Sequence, residues 1–170
     1  MKSNWHIFKL TVLLFTVLHV VSCKENNISK DVQDLIGKHI SIPSEISREN
    51  TFAIINYVDS TGCTSCKLHT EGWNMFIEKT KDCNSPIDII FIVHPHVFSD
   101  VNEIINNNCT NQIKVICDTK NRWKDYNKLS QKEMLHTFLI NKDNNIVMVG
   151  SPITNVEISD LMLKVMKDLN

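Results

Sequence analysis

No apolar run in the 170-residue sequence reaches the roughly 20 residues that a membrane-spanning helix requires; the stretch Leu10 to Val21 stops at 12. No basic stripe interleaved with aromatic residues occurs, so the electrostatic footprint of a nucleic-acid binder is missing and nucleic acid is set aside as a partner. Glycine and proline are scarce, at four each, and no internal repeat or low-complexity tract is visible, which excludes a collagen-like chain. What remains is ordinary: 42% hydrophobic and 22% charged residues, the balance of a globular protein rather than a disordered or multi-span one. The length fits one domain of roughly 100–200 residues.

The N-terminus reads as an address. Lys2 and Lys9 supply positive charge ahead of Leu10 to Val21, whose length suits the about 7–15 apolar residues of a signal-peptide core. Val20-Val21-Ser22-Cys23 follows and resembles the lipobox of bacterial lipoproteins, whose invariant Cys is lipidated where the signal is cut. That resemblance implies a signal peptide over 1–22, lipid attachment at Cys23, and export to a bacterial membrane on its periplasmic or outer-membrane face. The alternative is an ordinary cleaved signal with a Cys beside it. Residues 23–30, rich in Asn, Ser and charge, then read as a tether and 31–170 as the folded domain. Taking Lys2 and Lys9 from the 18 basic residues leaves 16 against 19 acidic ones, a mildly acidic mature chain.

Along that domain, Asp31 to Gly37 suggests a short helix with Gly37 at its left-handed cap. Lys38 to Pro43 alternates as an edge strand would. Phe52 to Val58 and Ile87 to Val93 are compact apolar runs suited to buried central strands. Between them, Trp73, Phe76, Ile77 and Thr80 recur at helical spacing after Cys66, with Gly72 a candidate kink. Val101, Ile104 and Ile105 continue as a helix, Ile113 to Cys117 is a third strand, and Trp123 to Leu129 a short helix. Thr137 to Asn141 and Ile146 to Val149 flank Lys142-Asp143-Asn144-Asn145, whose Asp and Asn residues tolerate the positive φ of a tight hairpin. Ile158 to Leu169 closes the chain as an amphipathic helix. Strands alternating with helices, ending in an antiparallel pair, predict an α/β fold with a mixed sheet.

Six cysteines are present. With Cys23 as the anchor, Cys63, Cys66, Cys83, Cys109 and Cys117 remain, an odd number that leaves at least one thiol unpaired or shared within a chain. Cys63 and Cys66 sit where a buried strand hands over to a helix. Free N–H groups at a helix start stabilise a thiolate, which favours Cys63 as the nucleophile with Cys66 one turn along. The bland reading is an inert structural disulfide. A zinc site lacks an evident second ligand pair, while His94-Pro95-His96 could complete a copper site with the cysteines or be solvated loop residues. Cys117, inside an apolar strand, reads as a small buried hydrophobe. Trp73 and Phe76 read as core, and His136 as a candidate proton shuttle.

The strand Phe52–Val58, the helix opened by Cys63-Thr64-Ser65-Cys66-Lys67 and the strand Thr137-Phe138-Leu139-Ile140-Asn141 with its hairpin together resemble the thioredoxin superfamily. The pattern specifically resembles TlpA-like thiol-disulfide proteins of bacterial envelopes, and with the lipobox included it looks like the small thioredoxin-like lipoproteins of Bacteroidetes. The resemblance covers about Gly37 to Asn170. It implies four or five mixed strands flanked by helices, Cys63 attacking and Cys66 resolving, protein thiols or disulfides of the envelope as partners, and neither cofactor nor metal. A redox-inactive binding or scaffold module on the same fold is the alternative function. Peroxidase chemistry is disfavoured, because the residues before Cys63 lack the peroxiredoxin proline. The pattern departs from the family at three places: Leu135 or a neighbour stands where thioredoxins have a cis-Pro, Gly62 replaces a common Trp, and no buried acid lies near Tyr57.

Overall fold

The computed structural model describes residues 28–61, 64–82, 85–94, 101 and 112–169. The chain divides into two units, Met1–Leu35 and Ile36–Asn170. In the first, residues 28–35 are helical, so helix begins three residues inside the span read as a tether.

The second unit is built on a five-stranded sheet in the order β3-β2-β1-β4-β5. Its strands are β1 (Phe52–Val58), β2 (Ile87–Val93), β3 (Ile113–Cys117), β4 (Thr137–Ile140) and β5 (Ile146–Val149). β1, β2 and β3 run parallel, with Phe52 opposite Ile87 and Ile89 opposite Ile113, whereas β4 and β5 run antiparallel to their neighbours. Every residue of β1 and of β2 is buried. Their continuous apolar runs are what a parallel strand covered on both faces requires. The charged break in β2, Asp88, accepts the backbone N–H groups of Glu49 and Asn50 at 2.9 and 3.0 Å and pairs with Lys114 at 3.1 Å. A buried carboxylate is tolerated there because its partners replace water.

Helices α1 (Thr64–Leu68), α2 (Thr70–Asp82), α3 (Arg122–Tyr126) and α4 (Val156–Leu169) and a 3-10 turn (Glu133–Leu135) accompany the strands. One face of the sheet packs through Phe52, Ile54, Ile89 and Phe91 against Trp73, Phe76 and Ile77 of α2 and Met162 and Met166 of α4. Trp73 meets Phe91 edge-on at 5.6 Å. On the other face Trp123 of α3 stacks on Tyr57, ring centres 6.0 Å apart. Among the described residues no helix is long and apolar enough to cross a membrane.

Gly37 has φ of +81°, the left-handed cap expected, and Asn144 in the β4–β5 turn has φ of +60°. The edge strand expected over Lys38 to Pro43 is reduced to a single bridge, His39 to Asn145. Its backbone turns away because Ser41 bonds elsewhere: its N–H donates to Asn127 Oδ1 at 2.8 Å and its carbonyl accepts the Trp123 indole N–H at 2.7 Å. The helix expected after Cys66 is in fact two, split at His69, whose φ is +45°. Gly72 is not the kink. A Cβ there would lie 3.3 Å from the Ile153 Cβ, so Gly72 permits close approach of the 151–155 loop. The Trp123–Leu129 helix is confined to Arg122–Tyr126, and of the expected Val101–Ile105 helix only the helical Val101 is described.

Candidate active site

The chain leaves the carboxyl end of β1 at Val58, passes Asp59 to Thr61, and enters α1 at Thr64. In open α/β sheets this end of the strands is where ligands gather. Cys66 lies within α1, exposed and disulfide-bonded. Cys117 is a free thiol, so the partner of Cys66 lies outside the described residues. So do Cys23, Cys63, Cys83, Cys109, Gly62, Pro95 and His96. Cys117 is half-buried against the core, and burial pushes its thiol pKa up, as expected of an inert hydrophobe.

Lys67, next to Cys66, joins three segments. Its Nζ donates to Asp59 Oδ1 at 2.6 Å, to Thr61 Oγ1 at 2.9 Å, and meets Glu133 Oε1 at 2.8 Å. Burial alone would raise the Asp59 pKa, but the hydrogen bonds from Lys67 and Thr61 outweigh it and hold it at about 2. Lys67 likewise stays above its usual range although burial opposes its charge, because both carboxylates accept from it. Glu133 belongs to a 3-10 turn, Glu133–Leu135, that leads into β4. The Tyr57 N–H donates to the His136 carbonyl at 3.0 Å and ties that turn to β1. No cis peptide bond occurs among the described residues, which include Leu135 and its neighbours.

Behind this network lies an open cleft of about 410 Å³, lined by Lys67, Trp73, Glu133, His136, Thr137, and the segment from Gly150 into the first turn of α4. Cys66 itself faces a neighbouring depression that shares His69 and Ile153 with the cleft. Two polar residues form part of its wall: the Thr137 hydroxyl donates to Asn56 Oδ1 at 2.9 Å. Asn56 is thus the buried polar group beside Tyr57 where a buried acid is missing. His136, 2% exposed, donates from Nε2 to the Ser130 carbonyl at 2.8 Å. Burial lowers its pKa, and the nearby Lys124 adds to that, against opposing pulls from the Ser130 carbonyl, Asp59 and Glu133. Burial, and then Asp59, Asp118 and Asp125, raise the Tyr57 pKa; its hydroxyl bonds Asn121.

His94 binds the Asp118 carbonyl through Nδ1 at 2.8 Å. Among the described residues no three His, Cys, Asp or Glu side chains cluster as metal ligands would. Asp59, Lys67 and Glu133 went unassigned in the sequence because nothing local joins them: Glu133 reaches Lys67 only once β4 is paired with β1.

No protein-family model and no curated protein matches the chain. Solved structures do. A thioredoxin-like protein from Bacteroides caccae superposes with a TM-score of 0.54 at 13% identity over 86% of this chain and 56% of that one. The chain therefore spans little more than half the length of that relative. A domain of a "possible thiol-disulfide isomerase" from Cytophaga hutchinsonii superposes at 0.54, with 13% identity over 79% of this chain and 95% of the other. A third, a candidate thiol:disulfide interchange protein from Chlorobium tepidum, scores 0.50 at 14% identity over 71% and 82%. The fold is thioredoxin-like, with the mixed five-stranded sheet expected.

Proposed function

We propose that the protein is an exported, lipid-anchored thiol-disulfide oxidoreductase that exchanges a Cys63–Cys66 disulfide with protein thiols. The observation that carries this reading is an exposed, disulfide-bonded Cys66 in the helix that follows the central parallel strand. An accessible disulfide can be attacked, whereas a buried one is shielded from thiolates. In the reducing direction, the Cys63 thiolate attacks one sulfur of a substrate disulfide and expels the other substrate sulfur as a thiolate. Cys66, deprotonated, then attacks Cys63, forms the intramolecular bond and releases the second substrate thiolate. Two electrons have passed from the dithiol to the substrate; the reverse sequence oxidises a substrate dithiol. Cys23, at the lipobox, would carry the acyl chains, each buried methylene contributing about 0.8 kcal/mol to membrane attachment.

Trapping tests the chemistry. Cys66→Ser should accumulate mixed disulfides with envelope proteins, seen as reductant-sensitive high-mass species on non-reducing gels, and Cys63→Ser should not. Trapping by Cys63→Ser alone would reverse the roles. If neither variant traps a partner and the Cys66 bond resists mild dithiol, the disulfide is structural and the protein a scaffold.

A further inference from the structure

Lys67 follows Cys66 in α1, a helix of five residues parted from α2 at His69. A cation beside a cysteine stabilises the thiolate and makes the thiol more acidic. The surroundings of this ammonium work against that. A lysine carries three N–H donors, and Lys67 Nζ has three acceptors: Asp59 Oδ1 at 2.6 Å, Thr61 Oγ1 at 2.9 Å and Glu133 Oε1 at 2.8 Å. Its donors are taken up, and two carboxylates stand against one ammonium, so the group as a whole is negative. The two carboxylates differ. Asp59, 18% exposed, lies on the segment that leaves β1, whereas Glu133, 61% exposed, comes from the turn that enters β4. Removing Glu133 therefore changes the charge around Lys67 and leaves the 2.6 Å pair with Asp59 in place.

We propose that Glu133 is a positioning residue of the exchange site: by accepting from Lys67 it offsets that ammonium and keeps the thiols of the reduced pair less acidic than Lys67 alone would make them. The proposal rests on the exchange reading above and names what sets the reactivity of that site. A less acidic thiol yields less thiolate, but each thiolate is a better nucleophile, and attack is fastest when the thiol pKa lies near the ambient pH. Among the described residues Lys67 is the one lysine or arginine lining either the cleft or the depression that holds Cys66. The other titratable groups there are Glu71 and His69 beside Cys66, and His136 in the cleft with Glu133. None of these is altered in the variants below, so their titration is common to all of them.

The test follows the rate at which iodoacetamide alkylates the reduced full-length protein as a function of pH, read by mass spectrometry at Cys63 and Cys66 so that other thiols do not enter. Glu133→Gln should raise the acid dissociation constant of the reactive thiol about threefold and Glu133→Lys about tenfold, as one and two unit charges acting through screened solvent would. Glu133→Asp, which keeps the charge, should match wild type. Below its midpoint Glu133→Gln should react faster than wild type and above it more slowly, because it has more thiolate of a weaker kind. Lys67→Met should shift the constant about threefold the other way. Glu133→Gln and Lys67→Met break the same contact, so a merely structural role would move the midpoint in one direction in both. In about 1 M salt the shifts should shrink. No shift in Glu133→Gln and Glu133→Lys, shifts of one sign in Glu133→Gln and Lys67→Met, or shifts undiminished by salt would each overturn the proposal. The exposed Glu133 variants decide it even if Lys67→Met does not fold. Alkylation needs no partner protein, so a wild type that reduces no protein disulfide removes the exchange reading while the midpoints still report on Glu133.

Discussion

Lys67 of α1 and Asp59 beyond the end of β1 are held 2.6 Å apart, Nζ to Oδ1, with the two side chains 19% and 18% exposed. The pair fastens the helix that carries Cys66 to the strand that positions it. Asp59 titrates at about 2 rather than 3.8, so its contribution to stability is complete above pH 4 and is lost as pH falls toward 2. In Lys67→Met the carboxylate loses its principal donor. Its pKa should move back up, so acid destabilisation sets in at higher pH, and stability at pH 7 should fall by about 1 kcal/mol, between the values of exposed and buried pairs. Urea unfolding between pH 2 and 7 measures both; identical pH profiles would show that the pair does not anchor α1.

Thr137 and Asn56 join β4 to β1 by a buried side-chain hydrogen bond of 2.9 Å. Thr137→Val keeps the shape and removes the donor, leaving Asn56 Oδ1 buried without it. The expected loss is about 1–3 kcal/mol in urea denaturation. Thr137→Ser, which retains the hydroxyl, should recover most of it.

Gly150 ends β5 with φ of +127°, and a Cβ built there would meet Ile158 Cδ1 at 2.6 Å. Gly150→Ala combines backbone strain with a clash against α4, and should destabilise by about 1–3 kcal/mol. Ile158→Ala in the same chain should relieve the clash and not the strain, so rescue measured by thermal unfolding should be partial. Full rescue would show that strain at this φ matters little.

Cys23 is the sulfur at the end of the lipobox-like Val20-Val21-Ser22-Cys23. Cells given labelled fatty acid should incorporate label into the wild type and not into Cys23→Ala. Equal labelling of the two would remove the anchor from the proposed function.

Much of the fold was legible because its strands are of the kind that announce themselves. β1 and β2 are buried on both faces, so their residues are apolar without alternation and their limits, Phe52–Val58 and Ile87–Val93, could be read directly. The apolar spacing of α2 revealed its core face in the same way; that of α4 did so at Met162 and Met166, whereas Leu161 and Leu169, equally apolar, are 51% and 60% exposed. Lys38 to Pro43 misled because alternation reports one buried face and not a paired backbone: Ile40 is buried as an edge strand would bury it, yet Ser41 bonds Trp123 and Asn127. The break at His69 carries little local warning, since His is enriched at positive φ yet most histidines keep ordinary backbone angles.

Local pattern was enough for the α/β order of elements and for the place of Cys66 just beyond the central strand, because burial and periodicity act over neighbouring residues. That Lys67 meets Glu133, and that Trp73, expected as plain core packing, shares a cleft with His136, depends on segments far apart in the chain. Those relations join α1 and α2 to the entry of β4. Hydrogen bonds are satisfied or left open by geometry within about 3 Å, and that geometry exists only once β4 has paired with β1.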